Sequence, residues 1–162
     1  MSVRQKLATL CYIYKDGKIL LLHRVKKQND MHEGKFIGIG GKIEVYESPR
    51  ECMFREIYEE TGIKPLDLTL RSVIYFNEIG NKNIHPALNY LVFVYRATKY
   101  DGEIRDSDEG ILVWKSYDEF KALNLWEGDK IFVPKVIFEN EFFEATFNYT
   151  FDEKLIDYNI NN

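Results

Sequence analysis

The sequence predicts an α/β protein, a single domain built on a mixed β-sheet covered by helices on both faces. Three observations lead there. Apolar runs, alternating or continuous, recur through the 162-residue chain and are rich in the aromatic and β-branched residues that favour strands. One segment, residues 48–62, carries complete start and stop signals for a helix. Two shorter helical patterns follow in the last third, and strands mixed with two or three helices call for layers on both sides of a sheet.

Each element has its own signal. Lys6 to Lys15 reads as a strand, and Asp16-Gly17 is the tight turn into a second strand, Lys18 to Arg24. Lys26 to Lys35 is a polar loop. Phe36 to Ile39 is a short strand ahead of a bare glycine turn, Gly38-Ile39-Gly40-Gly41-Lys42, where backbone can approach a ligand closely. The main helix then runs from near Pro49 to near Thr61. Ser48 caps its first amides, Pro49 suits the first helical position, Glu51 completes a capping box, and Gly62 ends it. Leu68 to Ile79 alternates as a strand, Glu78 to Pro86 is a loop, and Ala87 to Thr98 is a long apolar and aromatic strand. Ile111 to Lys115 is a further short strand and Tyr117 to Leu123 a short helix. Lys130 to Glu139 spaces Ile131, Phe132, Val136 and Ile137 at helical intervals, with Pro134 in the first turn or two. Phe142 to Phe151 and Leu155 to Ile160 close the chain as a hairpin around Asp152-Glu153.

Composition narrows the function. Apolar residues make up 45% of the chain and the net charge is −4, so the balance is that of a globular domain and argues against a nucleic-acid polymer as partner. A small nucleotide stays open, because a metal ion can mask its phosphates. Cys11 and Cys52 have no metal-type spacing, which fits a reduced, cytoplasmic setting. The N-terminal apolar run is too short for a signal peptide or a membrane span. The oligomeric state is not legible. His23, His32 and His85 are scattered and read as surface or packing residues, and Lys26-Lys27 as a solvated loop.

The main helix carries the chemistry. Glu56, Glu59 and Glu60 fall within roughly a quarter to a third of its circumference. Glu56 and Glu60 are helical neighbours, about 5–6 Å apart at Cβ. At an effective dielectric of about 20, two such charges repel by roughly 3 kcal/mol. A hard divalent cation removes that repulsion and takes oxygen ligands. Arg55 flanks the arc and can orient one carboxylate.

The whole stretch Gly41 to Ile63, GKIEVYESPRECMFREIYEETGI, fills every specified position of a longer pattern: Gly41, Glu47, Arg55, Glu56, Ile57, Glu59, Glu60, Gly62 and Ile63. It resembles the Nudix box, the signature of hydrolases that cut nucleoside diphosphates linked to another group. The resemblance implies the Nudix fold, a mixed β-sheet in an α/β/α sandwich. It also implies Mg²⁺, for which Mn²⁺ can substitute, held by Glu56, Glu59, Glu60 and the Gly40 carbonyl, with Arg55 and Glu47 organising the box.

Outer segments resemble one branch of that family, the MutT-type 8-oxo-dGTP diphosphatases or oxidised purine nucleoside triphosphatases. Lys35-Phe36-Ile37-Gly38-Ile39-Gly40-Gly41-Lys42 stands where that branch has a basic residue, an aromatic, Asn, Gly, an aromatic and Gly-Gly-Lys. Ser107-Asp108-Glu109 resembles a Ser-Asp-Glu run that supplies a further acid. Trp126-Glu127-Gly128-Asp129, followed by Phe132-Val133-Pro134, resembles a Trp-Pro-Asp-Asp segment with a downstream Phe-Pro, and the tail resembles the closing hairpin. By this likeness Glu109 joins the metal site or helps to activate water. Trp126 offers a face for base stacking, Asp129 meets the base edge, and Phe36 and Ile37 stand beside the substrate. The general base stays open among Glu59, Glu60 and Glu109. Ile37 replaces an asparagine and Gly128 an aspartate, so discrimination between purines is expected to weaken. Two other readings remain: a Nudix enzyme acting on a dinucleotide or nucleotide-sugar, and a silent nucleotide-binding module, against which the intact box argues.

Overall fold

The computed structural model describes residues 4–26, 31–79 and 88–162. Eleven strands and three helices are formed among them. Arg4–Lys15 (β1) and Lys18–His23 (β2) form the first hairpin. Phe36–Ile37 (β3) and Ile39–Lys42 (β4) lead to the helix Pro49–Thr61 (α1). Lys64–Pro65 (β5), Thr69–Ile79 (β6), Leu88–Ala97 (β7), Tyr100–Asp101 (β8) and Ile111–Ser116 (β9) follow. Tyr117–Lys121 (α2), Glu127–Phe138 (α3), Phe143–Thr150 (β10) and Leu155–Asn161 (β11) complete the chain.

The main sheet is mixed, as expected. Its order is β11-β10-β6-β7-β1-β2-β3, with β4 beside β1 and β9 beside β2. β1 runs parallel to β7 along one edge. On its other edge it changes partner: Ala8 to Cys11 pair with β4, and Ile13 to Lys15 pair with β2. The sheet opens at that change of partner, and the site lies there.

Period-two alternation sends residues of the central strands to two cores. Tyr12, Ile19 and Leu21 join Phe132, Val136 and Phe147 on the face covered by α2 and α3. Cys11, Ile13, Leu20 and Leu22 join Met53 and Ile57 of α1 on the other. Met53 and Ile57 are fully buried, worth roughly 1.5–3 kcal/mol each by transfer of their apolar surface from water. That burial holds α1 to the sheet while its acidic side stays free for the site.

The signals at α1 are met in full. Glu51 N–H donates to Ser48 Oγ at 3.1 Å, Ser48 N–H donates to Glu51 Oε2 at 2.9 Å, and Gly62 ends the helix at φ 80°. Two expectations need correction. The glycine turn is for the most part strand: Gly40 and Gly41 belong to β4, because glycine carries no side chain whose periodicity would reveal a ladder. α3 begins at Glu127, not Lys130, so Pro134 lies inside it rather than in its first turns. The short sheet of β5 and β8 was not foreseen. Arg71 and Arg96 close the end of α3, donating to the carbonyls of Glu139 and Glu141 and of Val136, Ile137 and Glu139 respectively. Lys27, His85 and most of the expected loop before β7 lie outside the described residues. Among the described residues no helix is long and apolar enough to cross a membrane.

Candidate active site

β4 and α1 build the acidic half of the site. Ile43 N–H bonds to the Leu7 carbonyl of β1 at 3.0 Å, so alternate residues of β4 turn toward β1. Gly40 and Lys42 therefore turn their backbone groups the other way. Gly40 N–H donates to Glu60 Oε2 at 3.2 Å, and the Lys42 carbonyl accepts from Arg55 Nη2 at 3.2 Å. The Gly40 carbonyl leaves on the same edge as its N–H. Gly41 leaves room for a carboxylate: a Cβ built there would lie 2.4 Å from Glu56 Oε1 and push it aside.

Arg55 organises the acids around it. Its Nε and Nη2 grip Glu47 at 2.6 and 3.0 Å, and its Nη1 meets Glu56 at 2.8 Å and Glu59 at 3.1 Å. Glu44 stands 3.7 Å away. The guanidinium holds the Glu47 carboxyl down at about 2. Glu56 and Glu60 behave in the opposite way. Burial raises both, and for Glu60 a hydrogen bond with Glu109 and the charges of Glu56 and Glu109 add to it, reaching about 9. Glu60 is 5% exposed.

Glu109 arrives from the other side of the opening. Arg24, just past β2, donates from Nη1 to its Oε2 at 3.2 Å. Lys26 Nζ donates to the Ser107 carbonyl at 2.9 Å, and Ser107 Oγ accepts from Glu109 N–H at 3.0 Å. The Ser107–Glu109 segment is thus tied to the end of β2.

The donor set suits a hard divalent cation. Glu56, Glu60 and Glu109 offer only oxygen, and burial, together with the neighbouring carboxylates, makes Glu56 and Glu60 weaker acids than usual, a cost that a bound cation would offset. As they stand, no three of the described His, Cys, Asp or Glu side chains converge as a metal-binding group. Arg55 draws Glu56 and Glu59 one way while Arg24 draws Glu109 another.

A cavity of about 770 Å³ joins these acids to Trp126 and Asp129. Asp129, in the first turn of α3, is 7% exposed, and burial pushes its carboxyl up to about 7 although Lys35 opposes the shift. Trp126 donates from Nε1 to His32 Nδ1 at 2.9 Å, with Lys35 Nζ 4.8 Å from its ring centroid and the Tyr149 ring edge-on at 5.5 Å.

The structure brings together most of the residues the sequence singles out. Gly40, Glu56, Glu60, Glu109, Ile37, Trp126 and Asp129 all line the cavity. Two sit differently. Glu59 has a 57% exposed side chain held by Arg55, off the cavity wall. Phe36 is not among the residues that line the cavity: its ring stacks on His23 at 3.9 Å, while Ile37 beside it in the strand turns to the opposite face. Sequence reasoning missed Arg24, Tyr12 and Tyr149, which belong to no local motif. His32, read as a surface or packing residue, packs edge-on against Trp126 and accepts its Nε1–H.

A family model described as "NUDIX domain" matches residues 4–136. The uncharacterized Nudix hydrolase YvcI of Bacillus subtilis is 29% identical over 153 residues, 94% of this chain and 92% of its own. An oxidized purine nucleoside triphosphate hydrolase of Danio rerio is 29% identical over 137 residues, 85% of this chain and 83% of its own. The crystal structure of a mutator MutT protein from Bacillus halodurans superimposes with a TM-score of 0.85 at 30% identity, covering 96% of this chain and 97% of that one.

Proposed function

The chain belongs to the NUDIX domain family of hydrolases, and from that premise we propose that it cleaves a purine nucleoside triphosphate, oxidised forms such as 8-oxo-dGTP included, to the monophosphate and pyrophosphate. Its role would be to clear such nucleotides from the cytoplasmic pool. One observation carries this reading: the cavity that holds Glu56, Glu60 and Glu109 at one end holds Trp126 and Asp129 at the other. A triphosphate and its base need those two chemistries in one space.

Glu56, Glu60, Glu109 and the Gly40 carbonyl would hold Mg²⁺ or Mn²⁺, with Glu59 the remaining carboxylate of the set. When bound, such an ion neutralises phosphate charge and acidifies a water molecule. The chain's own groups do the rest. Arg55 orients Glu56 and Glu59. A glutamate, Glu60 or Glu109 on the cavity wall, accepts the proton of the water that attacks the β-phosphorus. Trp126 stacks on the base, a contact of about 1–3 kcal/mol, and Asp129 hydrogen-bonds its edge.

The test is a substrate panel with Mg²⁺ in ¹⁸O-labelled water, including dGTP, 8-oxo-dGTP, a dinucleotide, a nucleotide-sugar and ADP-ribose. The expected result is fastest cleavage of a purine triphosphate with the label in pyrophosphate. Label in the monophosphate alone would move the attack to the α-phosphorus. Faster cleavage of a dinucleotide, a nucleotide-sugar or ADP-ribose would overturn the substrate reading and leave the family assignment standing.

A further inference from the structure

Gly128 leaves α3 without a side chain beside Asp129, and a residue from another element fills that place. Tyr149 of β10 brings its Oη to 2.8 Å from the Gly128 N–H, which donates to it. A Cβ built on Gly128 would lie 2.7 Å from the same oxygen. Tyr149 is 7% exposed, lines the cavity and packs edge-on against Trp126. Since its oxygen accepts from Gly128, the phenolic hydrogen is the part left to offer. The Tyr12 hydroxyl is buried near the Gly38 backbone, and Asp129 and Tyr149 are among the ionisable groups that act on it. This end of the cavity therefore holds two phenols and one carboxyl.

We propose that Tyr149 is a specificity-determining residue, whose hydroxyl donates to an acceptor on the base of the bound nucleotide and supplies the contact that Gly128 cannot. This rests on the nucleoside triphosphate reading above. A phenol is neutral near neutral pH and presents one hydrogen in a fixed direction. The matching base edge carries an acceptor next to N–H groups that meet Asp129. A 6-oxopurine has that edge, with O6 beside N1–H. On this proposal Tyr149 compensates for the polar group that Gly128 lacks.

The experiment compares kcat/KM for dGTP and for the deoxyribonucleoside triphosphate of 2-aminopurine, which lacks O6, in the unaltered protein and in Tyr149→Phe. The phenylalanine keeps the ring and removes only the hydroxyl. The unaltered protein should prefer dGTP, and Tyr149→Phe should narrow that preference about tenfold, the worth of one such hydrogen bond, with the larger share in KM. Where Tyr149→Phe melts too early to assay, Gly128→Ala displaces the same hydroxyl and must narrow the same ratio. An unchanged ratio in the variant overturns the role of Tyr149, as does an unaltered protein that cleaves both nucleotides equally well. Cleavage of neither, with ADP-ribose hydrolysed, would instead sink the triphosphate reading beneath it.

Discussion

Arg55 grips Glu47 through two parallel hydrogen bonds, Nε to Oε1 at 2.6 Å and Nη2 to Oε2 at 3.0 Å, from residues eight apart in the chain. The pair bolts the loop after β4 to α1 and leaves Nη1 free for Glu56 and Glu59. Because Arg55 lowers the Glu47 carboxyl to about 2, the folded state binds fewer protons there than the unfolded chain does. Its contribution to stability is present above the unfolded value and is lost as pH falls through about 2. Glu47→Gln should destabilise the metal-free protein by about 2 kcal/mol at neutral pH and reduce the loss of stability in acid. Thermal melts from neutral to acid pH check it, and unchanged acid dependence in the variant would refute the coupling.

Glu60 has the opposite linkage. Its carboxyl is raised to about 9 in the metal-free fold, so the folded state holds the extra proton. Its contribution is full below the ordinary carboxylate value and is lost as pH rises through about 9. The metal-free protein should melt progressively lower as pH climbs, and Glu60→Gln should flatten that slope and raise the melting temperature in alkali. Glu56→Gln should behave similarly, because Glu56 is raised as well. Both variants should lose Mg²⁺-dependent turnover by orders of magnitude. Near-normal turnover in either would remove that residue from the catalytic set.

How much of this was legible follows from where each signal resides. α1 and its acids were readable because cap, glutamate spacing and stop lie within 15 consecutive residues, 48–62. β4 was read as turn because Gly40 and Gly41 show no side-chain period, and only pairing with β1 makes them strand. The start of α3 was missed because its N-cap, Trp126, forms no side-chain cap. Tyr149 was invisible as a site residue. Its link to Gly128 spans 21 residues and depends on how β10 meets α3. Local chemistry was legible, whereas contacts that depend on sheet topology were not.

Tyr46 sits in the loop between β4 and α1 at φ 66°, fully exposed. An L side chain in that left-handed region costs about 1–2 kcal/mol, and glycine removes the penalty while adding freedom to the unfolded chain. Tyr46→Gly should therefore raise stability by about 1 kcal/mol at most. Denaturant melts of the metal-free protein measure it. A fall in stability would show that the freedom glycine adds to the unfolded chain outweighs the strain it removes.

Asp129 is a buried acid on the wall of the cavity, beside Trp126. Burial lifts its carboxyl to about 7, Lys35 pulls it back, and the nearby phenols of Tyr12 and Tyr149 are themselves held neutral by burial. The folded state thus keeps a proton that the unfolded chain has released, and this part of the stability is lost as pH rises from the ordinary aspartate range through about 7. Asp129→Asn should erase that decline and leave the further loss toward about 9, which belongs to Glu60. The same proton decides what Asp129 offers the base: the neutral acid donates a hydrogen bond, and the carboxylate only accepts. Affinity for deoxyguanosine, which carries no phosphate to titrate in this range, should change across about pH 6 to 8 in the unaltered protein and stay level in Asp129→Asn. Titration calorimetry at several pH values measures both. An unaltered protein with flat affinity across that range would show that Asp129 does not touch the base, even though its burial and its effect on stability stand.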